Sequence, residues 1–134
     1  MSKEFIMMRF AVELSELSKC TKKKVAAIIT DENFHQVYSI GLNGGVAKGL
    51  DCLCTLGGKY GCIHAESQAI AKCTSTDTRK VMFVTLSPCA TCAALIANSG
   101  FSRVYYLTDW KDPAGLKLLQ AAGIRTHKIV EDEK

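Results

Sequence analysis

No apolar run in this 134-residue chain approaches the ~18 residues that a membrane span needs. The amino terminus is no signal peptide either, because Glu4, Arg9, Glu13 and Glu16 interrupt its apolar residues. Together these absences imply a cytosolic protein. Internal repeats, low-complexity tracts and linkers are also missing, so residues 1–134 read as one domain, large enough for a real core. Proline occurs twice, at Pro88 and Pro113, and each marks the start of a helix. A strong charge bias is lacking as well. Seventeen basic against thirteen acidic residues leave +4, which suits an anionic small molecule and is too weak to argue for nucleic acid.

Cysteine is abundant by contrast. Seven in a reducing compartment favour metal ligation or catalysis over disulfides. Two of them form Pro88-Cys89-Ala90-Thr91-Cys92, and Cys62-Ile63-His64-Ala65-Glu66 lies upstream. Catalytic zinc sites use three protein ligands and keep a position for water, whereas structural sites use four. His64, Cys89 and Cys92 supply three. Glu66 remains as a general acid/base candidate. The C-x-x-C spacing turns both thiols the same way at a helix start, where unpaired N–H groups favour thiolates. His64 and Glu66 are two apart, so they belong at a helix mouth rather than mid-helix, with small Ala65 in the crowded position between helix ends. Three other readings compete: a redox pair, a closed structural site with a third thiolate, and buried thiols beside a surface histidine.

Around these motifs, Ile6, Phe10, Leu14 and Leu17 within 3–19 predict an amphipathic helix covering the core. Strands are predicted over 25–29 and 36–40 as a hairpin, with Gly41-Leu42-Asn43-Gly44-Gly45 ending the second. Residues 46–61 read as a long loop. Then follow a helix over 64–73, a strand over 81–86, a helix from Ser87-Pro88 to Asn98, a strand over 104–107, a helix over 113–122 and a strand over 124–130. That β-α-β-α-β order predicts parallel pairing. The fold class is therefore α/β, a three-layer α/β/α sandwich around a mixed five-stranded sheet.

H-x-E…P-C-x-x-C is the signature of zinc-dependent nucleobase deaminases. Over nearly its whole length the chain resembles the deoxycytidylate (dCMP) deaminases of the cytidine deaminase superfamily, in their compact phage and viral form. Besides the zinc motifs, the resemblance rests on Ser18-Lys19-Cys20, Lys24-Val25-Ala26-Ala27, Gly41-Leu42-Asn43-Gly44 with Gly49 and Cys52, Val84-Thr85-Leu86-Ser87, and Gly123-Ile124. It implies a zinc cofactor held by His64, Cys89 and Cys92, and hydrolysis of dCMP to dUMP and ammonia with Glu66 carrying the protons. It also implies substrate contacts at Asn43, Ala65 and Ser87, a 5′-phosphate near Lys22 and Lys24, and Trp110 at the pocket. Some phage-type relatives hold a second, structural zinc; Cys20, Cys52 and Cys62 fall at matching places and Cys54 is nearby, which implies a four-cysteine site. Family members form homo-oligomers, hexamers among them. Leu42 stands where the family has tyrosine, in an element that binds dCTP and dTTP in regulated members.

Related substrates are the alternatives: dCTP, cytidine or deoxycytidine, or a modified cytosine nucleotide. A tRNA adenosine deaminase shares the zinc motifs but usually carries Glu where Ser87 stands. From a different class comes a non-catalytic zinc-containing nucleotide-binding module, for which Glu66 would have no use.

Overall fold

The computed structural model describes residues 1–20, 22–45 and 62–130. Helix α1 (Lys3–Ser15) leads into strands β1 (Ala26–Thr30) and β2 (Val37–Leu42), then α2 (Ala65–Lys72), β3 (Lys80–Leu86), α3 (Ala90–Ala97), β4 (Phe101–Thr108), α4 (Ala114–Ala121) and β5 (Arg125–Lys128). The strands form one sheet in the order β2-β1-β3-β4-β5. β1 runs antiparallel to both of its neighbours, and β3, β4 and β5 are parallel. The mixed five-stranded sheet is the one the sequence predicts. β1 and most of β3 are buried on both faces, which is why they read as unbroken apolar runs rather than alternating ones.

Alternate residues along each strand feed two cores. On one face Ile28, Val81, Phe83 and Tyr105 pack against Met8 and Ala11 of α1. On the other, Ala27, Ile29, Met82, Val84 and Val104 meet Ala65 and Ala69 of α2, Ala93 and Ile96 of α3, and Leu119 of α4. One helix on one face and three on the other make the three layers.

Two sequence expectations need correction. The stripe Ile6–Phe10–Leu14–Leu17 is not the buried side of α1: Ile6, Phe10 and Leu17 are 52%, 41% and 65% exposed, while Met8, Ala11 and Ser15 are buried. Apolar residues lie on nearly every side of this helix, so periodicity alone selects no face. The bulky rings beneath it accept small Ala11 and pliable Met8. Second, β2 does not stop at Ile40 but continues through Gly41 and Leu42. A Cβ on Gly41 would lie 2.1 Å from the Ala65 carbonyl oxygen and 2.5 Å from the Ala69 nitrogen. Glycine is there so that α2 can lie against the strand, not to break it. The loop predicted over 46–61, with Cys52 and Cys54, lies outside the described residues.

Candidate active site: a metal centre between two helix mouths

Two helices begin side by side at the carboxyl end of β3. His64 is the N-cap of α2, in extended backbone conformation, and Ala65 and Glu66 are the first two helical residues. The entry into α2 is fixed from several sides. Ile63 and Gly44 exchange backbone hydrogen bonds of 2.9 and 3.3 Å, and the Leu42 N–H donates to Gln68 Oε1 at 2.8 Å. Cys89 is the N-cap of α3, and its sulfur accepts the Cys92 N–H at 3.4 Å. The position of α3 depends on Gly115 of α4, where a Cβ would lie 2.0 Å from the Pro88 carbonyl oxygen. Sequence reading did not single out Gly115. Gly115 is only the second residue of α4, where a glycine is unremarkable, so no local signal marked it.

His64, Cys89 and Cys92 come together, their ligand atoms all within 4.8 Å of one another. His64 Nδ1 lies 3.3 Å from Cys92 Sγ and 3.6 Å from Cys89 Sγ. A tetrahedral zinc with ordinary Zn–N and Zn–S bonds separates nitrogen from sulfur by about 3.6 Å. The donor set and its spacing therefore fit zinc, with a fourth position left open. One of the two thiols is prepared for a metal as well. Hydrogen bonds from Cys92 and His64 pull the Cys89 thiol down to about 4, and Cys89 in turn raises both the His64 imidazole and the Cys92 thiol. A thiolate at Cys89 is thus favoured before any metal arrives.

Glu66 is 5% exposed, and burial pushes its carboxyl up to about 7. Ser67, one residue on, places its Oγ 3.5 Å from Cys92 Sγ. No motif pointed to this serine; only the juxtaposition of the two helices reveals it.

The remaining candidate residues divide into two groups. Buried Ser87 and half-buried Trp110 are neighbours of the C-x-x-C entry, with the Trp110 N–H donating to Ser87 Oγ at 2.7 Å. Ala65 is fully buried at the α2 mouth. Asn43, by contrast, braces the backbone. Its Oδ1 accepts from Ser18 Oγ at 2.6 Å and from the Val25 N–H at 2.8 Å, and its Nδ2 donates to the Lys23 carbonyl at 2.5 Å. One amide hydrogen of Asn43 is left over from those three bonds. Lys22 and Lys24 are exposed on the α1–β1 connection, with Lys24 Nζ 3.8 Å from Glu16 Oε1. Of the four cysteines considered for a second metal, Cys20 and Cys62 meet, their sulfurs 3.8 Å apart. Cys52 and Cys54 lie outside the described residues.

Three candidate ligands among the described residues, with a buried carboxyl two positions from one of them, point to the class of a metal-dependent hydrolytic enzyme. The sequence profile of the cytidine and deoxycytidylate deaminase zinc-binding region matches residues 1–108, and the chain belongs to that family. Deoxycytidylate deaminase of Enterobacteria phage T4 is 28% identical, across 92% of this chain and 88% of the relative. ComE operon protein 2 of Bacillus subtilis (strain 168) is 31% identical over 131 residues, covering 87% of this chain and 65% of that protein, so the chain spans about two thirds of its length. Among solved structures, dCMP deaminase from cyanophage S-TIM5, in complex with dCMP and dUMP, superposes with a TM-score of 0.84 at 29% identity, across 96% of this chain and 99% of the other.

Proposed function

We propose that this chain converts dCMP and water to dUMP and ammonia, with one zinc ion in the His64–Cys89–Cys92 site. The observation that carries the reading is the end-to-end match, at a TM-score of 0.84, to a phage protein solved with dCMP and dUMP. Zinc in such a site makes water acidic enough to act as a nucleophile near neutral pH. Glu66 then has a defined task. As a carboxylate it accepts a proton from the attacking water, passes it to the ring nitrogen next to the amine-bearing carbon, and assists protonation of the departing amine. Burial keeps that proton from exchanging into bulk water. Ala65, Ser87 and Trp110 would then lie beside the base, and the remaining Asn43 amide hydrogen would be available to the sugar. Lys22 and Lys24 are candidates for the 5′-phosphate, though Lys24 would have to leave Glu16.

The decisive experiment incubates the purified protein with dCMP, dCTP, deoxycytidine, cytidine and a tRNA, and measures ammonia. Release from dCMP above all others supports the reading. Release only from another substrate reassigns it, and none from any would favour a nucleotide-binding module.

A second, structural zinc fits the same chain. Two sulfurs 3.8 Å apart are far beyond disulfide bonding and match the ~3.8 Å between thiolates of a tetrahedral site. Cys20 and Cys62 would be two of its ligands, with Cys52 and Cys54 completing it. Metal analysis should return two zinc ions per chain, and one would overturn this assignment. Homo-oligomers, hexamers included, are proposed from the family resemblance, with light scattering as the check. A cytoplasmic location, the host's if the chain is phage-encoded, is proposed on the same basis. Among the described residues no helix is long and apolar enough to cross a membrane.

A further inference from the structure

The two thiolates of the metal site do not receive hydrogen bonds in the same way. Cys89, as an N-cap, takes the backbone N–H of Cys92 at 3.4 Å. That leaves Cys92, in the third helical position, with its own N–H already committed. Its sulfur faces α2 instead, where Ser67 occupies the equivalent third position and places Oγ 3.5 Å away. His64 Nδ1, from the cap of the same helix, lies 3.3 Å from that sulfur. One face of α2 therefore offers Cys92 both a fellow ligand and a hydroxyl.

We propose that Ser67 is a positioning residue for the metal centre, donating its hydroxyl hydrogen to the Cys92 thiolate once zinc is bound. The inference rests on the zinc-site reading above and goes beyond it. A thiol can donate or accept, but a metal-bound thiolate can only accept, so metal binding fixes the direction of the Ser67–Cys92 bond. The bond has two consequences. It holds the sulfur in the orientation that faces both His64 and the metal, and it withdraws electron density from a strongly donating ligand. Groups of this kind around metal sites typically change affinity by about 10- to 100-fold. The hydroxyl also ties α2 to α3 across the gap that the metal bridges, so the spacing of the two helix mouths is set partly before zinc arrives.

The test uses zinc-loaded wild type, Ser67→Ala and Ser67→Thr. Alanine is a better helix former than serine, so the first variant should fold, and threonine retains a hydroxyl at the same position. Zinc transfer to a chromogenic chelator should be about tenfold faster from Ser67→Ala and near wild type from Ser67→Thr. In cobalt-substituted protein, the sulfur-to-cobalt charge-transfer band should move to lower energy in Ser67→Ala alone, because the unbonded thiolate donates more strongly. Any thiolate site at Cys20 and Cys62 contributes equally to all three proteins and cancels in the comparison. Wild-type chelation rates and an unmoved band in Ser67→Ala would overturn the proposal. Faster release with no band shift and no rescue by threonine would also overturn it, by pointing to packing. A wild type that takes up neither zinc nor cobalt at His64, Cys89 and Cys92 would instead remove the metal-centre reading on which the proposal depends.

Discussion

The mouths of α2 and α3 use one geometric device for two chemical ends. In each, the N-cap residue carries a metal-ligand candidate and sits in extended conformation, where its side chain projects past the first turn. At α3 the N-terminal N–H groups act on sulfur, and the Cys89 thiol falls to about 4, with hydrogen bonds from Cys92 and His64 as the leading causes. At α2 the His64 side chain caps none of its own helix's N–H groups and turns to the two sulfurs instead, and the carboxyl two residues on is buried and rises to about 7. One mouth is built to carry negative charge. The other is built to hold a proton. Hydrolysis assisted by a metal needs both, and the two mouths act on each other: His64 lowers the Cys89 thiol, while Cys89 raises the His64 imidazole and adds to the rise at Glu66.

The largest test of that division is to break each mouth separately. Glu66→Gln should lower kcat by about 10²- to 10⁴-fold while zinc content stays unchanged, because it removes the proton carrier and not a ligand. Cys89→Ala should lose zinc and turnover together. Ammonia release and metal analysis on the same preparations decide the matter: zinc loss in Glu66→Gln would show that the mouths are not separable.

Next in size is the pH dependence of the metal-free protein. Glu66 is held at about 7 against an ordinary value of 4.5. At 1.36 kcal/mol per pH unit, that gap corresponds to ~3 kcal/mol. The folded-state value is raised, so the associated stability is fully present below about pH 4.5 and is lost as pH rises through about 7. The Cys89 thiol, lowered to about 4, acts in the opposite sense over the same range, so Glu66 is read as a difference: in urea unfolding the stability of metal-free wild type relative to Glu66→Gln should fall between about pH 5 and about pH 8. Asp31 and Asp77 act in the opposite sense, their carboxyls lowered chiefly by the Gln36 and Arg79 backbone N–H groups, and only below about pH 4. Restoring zinc should flatten the wild-type slope, since a nearby dication favours the carboxylate. A slope unchanged by Glu66→Gln would mean that the proton is held elsewhere.

The third test concerns the glycines that bring each helix to its place. Gly41→Ala would drive a Cβ into the α2 backbone, and Gly115→Ala into the Pro88 carbonyl that leads into Cys89. In both cases the obstacle is backbone, which cannot rotate away. Each substitution should cost about 2 kcal/mol in urea unfolding and lower zinc occupancy, Gly41 through His64 and Gly115 through Cys89. Normal stability and occupancy in either variant would show that the helix mouths tolerate displacement.

The sequence made some of this legible because chemistry and period coincide there. His64, Glu66, Cys89 and Cys92 are visible because few other roles require those residues at those spacings, and β3 is visible because burial on both faces leaves an unbroken apolar run. What stayed hidden depends on contact between distant segments. Gly41 looked like a strand breaker because a missing side chain says nothing about which helix occupies its space. Ser67 and Gly115 carry no motif, and their partners lie on other elements. The buried side of α1 was misread because Ile6, Phe10 and Leu17 form a convincing stripe. Only the bulk of Phe83 and Tyr105 beneath the helix decides for Met8 and Ala11 instead.

The smallest effect separates the two helices at their far ends. The Ala69 carbonyl near the end of α2 lacks its usual helical partner, because the Cys73 N–H bonds to Ile70 instead. Ser39 of β2 donates to it at 2.7 Å in a buried contact. The end of α3 is closed by its own following residues: Asn98 Nδ2 donates to Ala94 and Ser99 Oγ to Leu95, both exposed. Water can replace a lost donor there but has poor access beneath α2. Ser39→Ala should therefore cost about 1 kcal/mol or somewhat more, and Ser99→Ala only ~0.3 kcal/mol. Thermal or urea unfolding of the two variants side by side measures the difference. Equal costs would mean that α2 is not held by the sheet any more firmly than α3 holds itself, and that the anchoring of His64 and Glu66 resides wholly at the mouth.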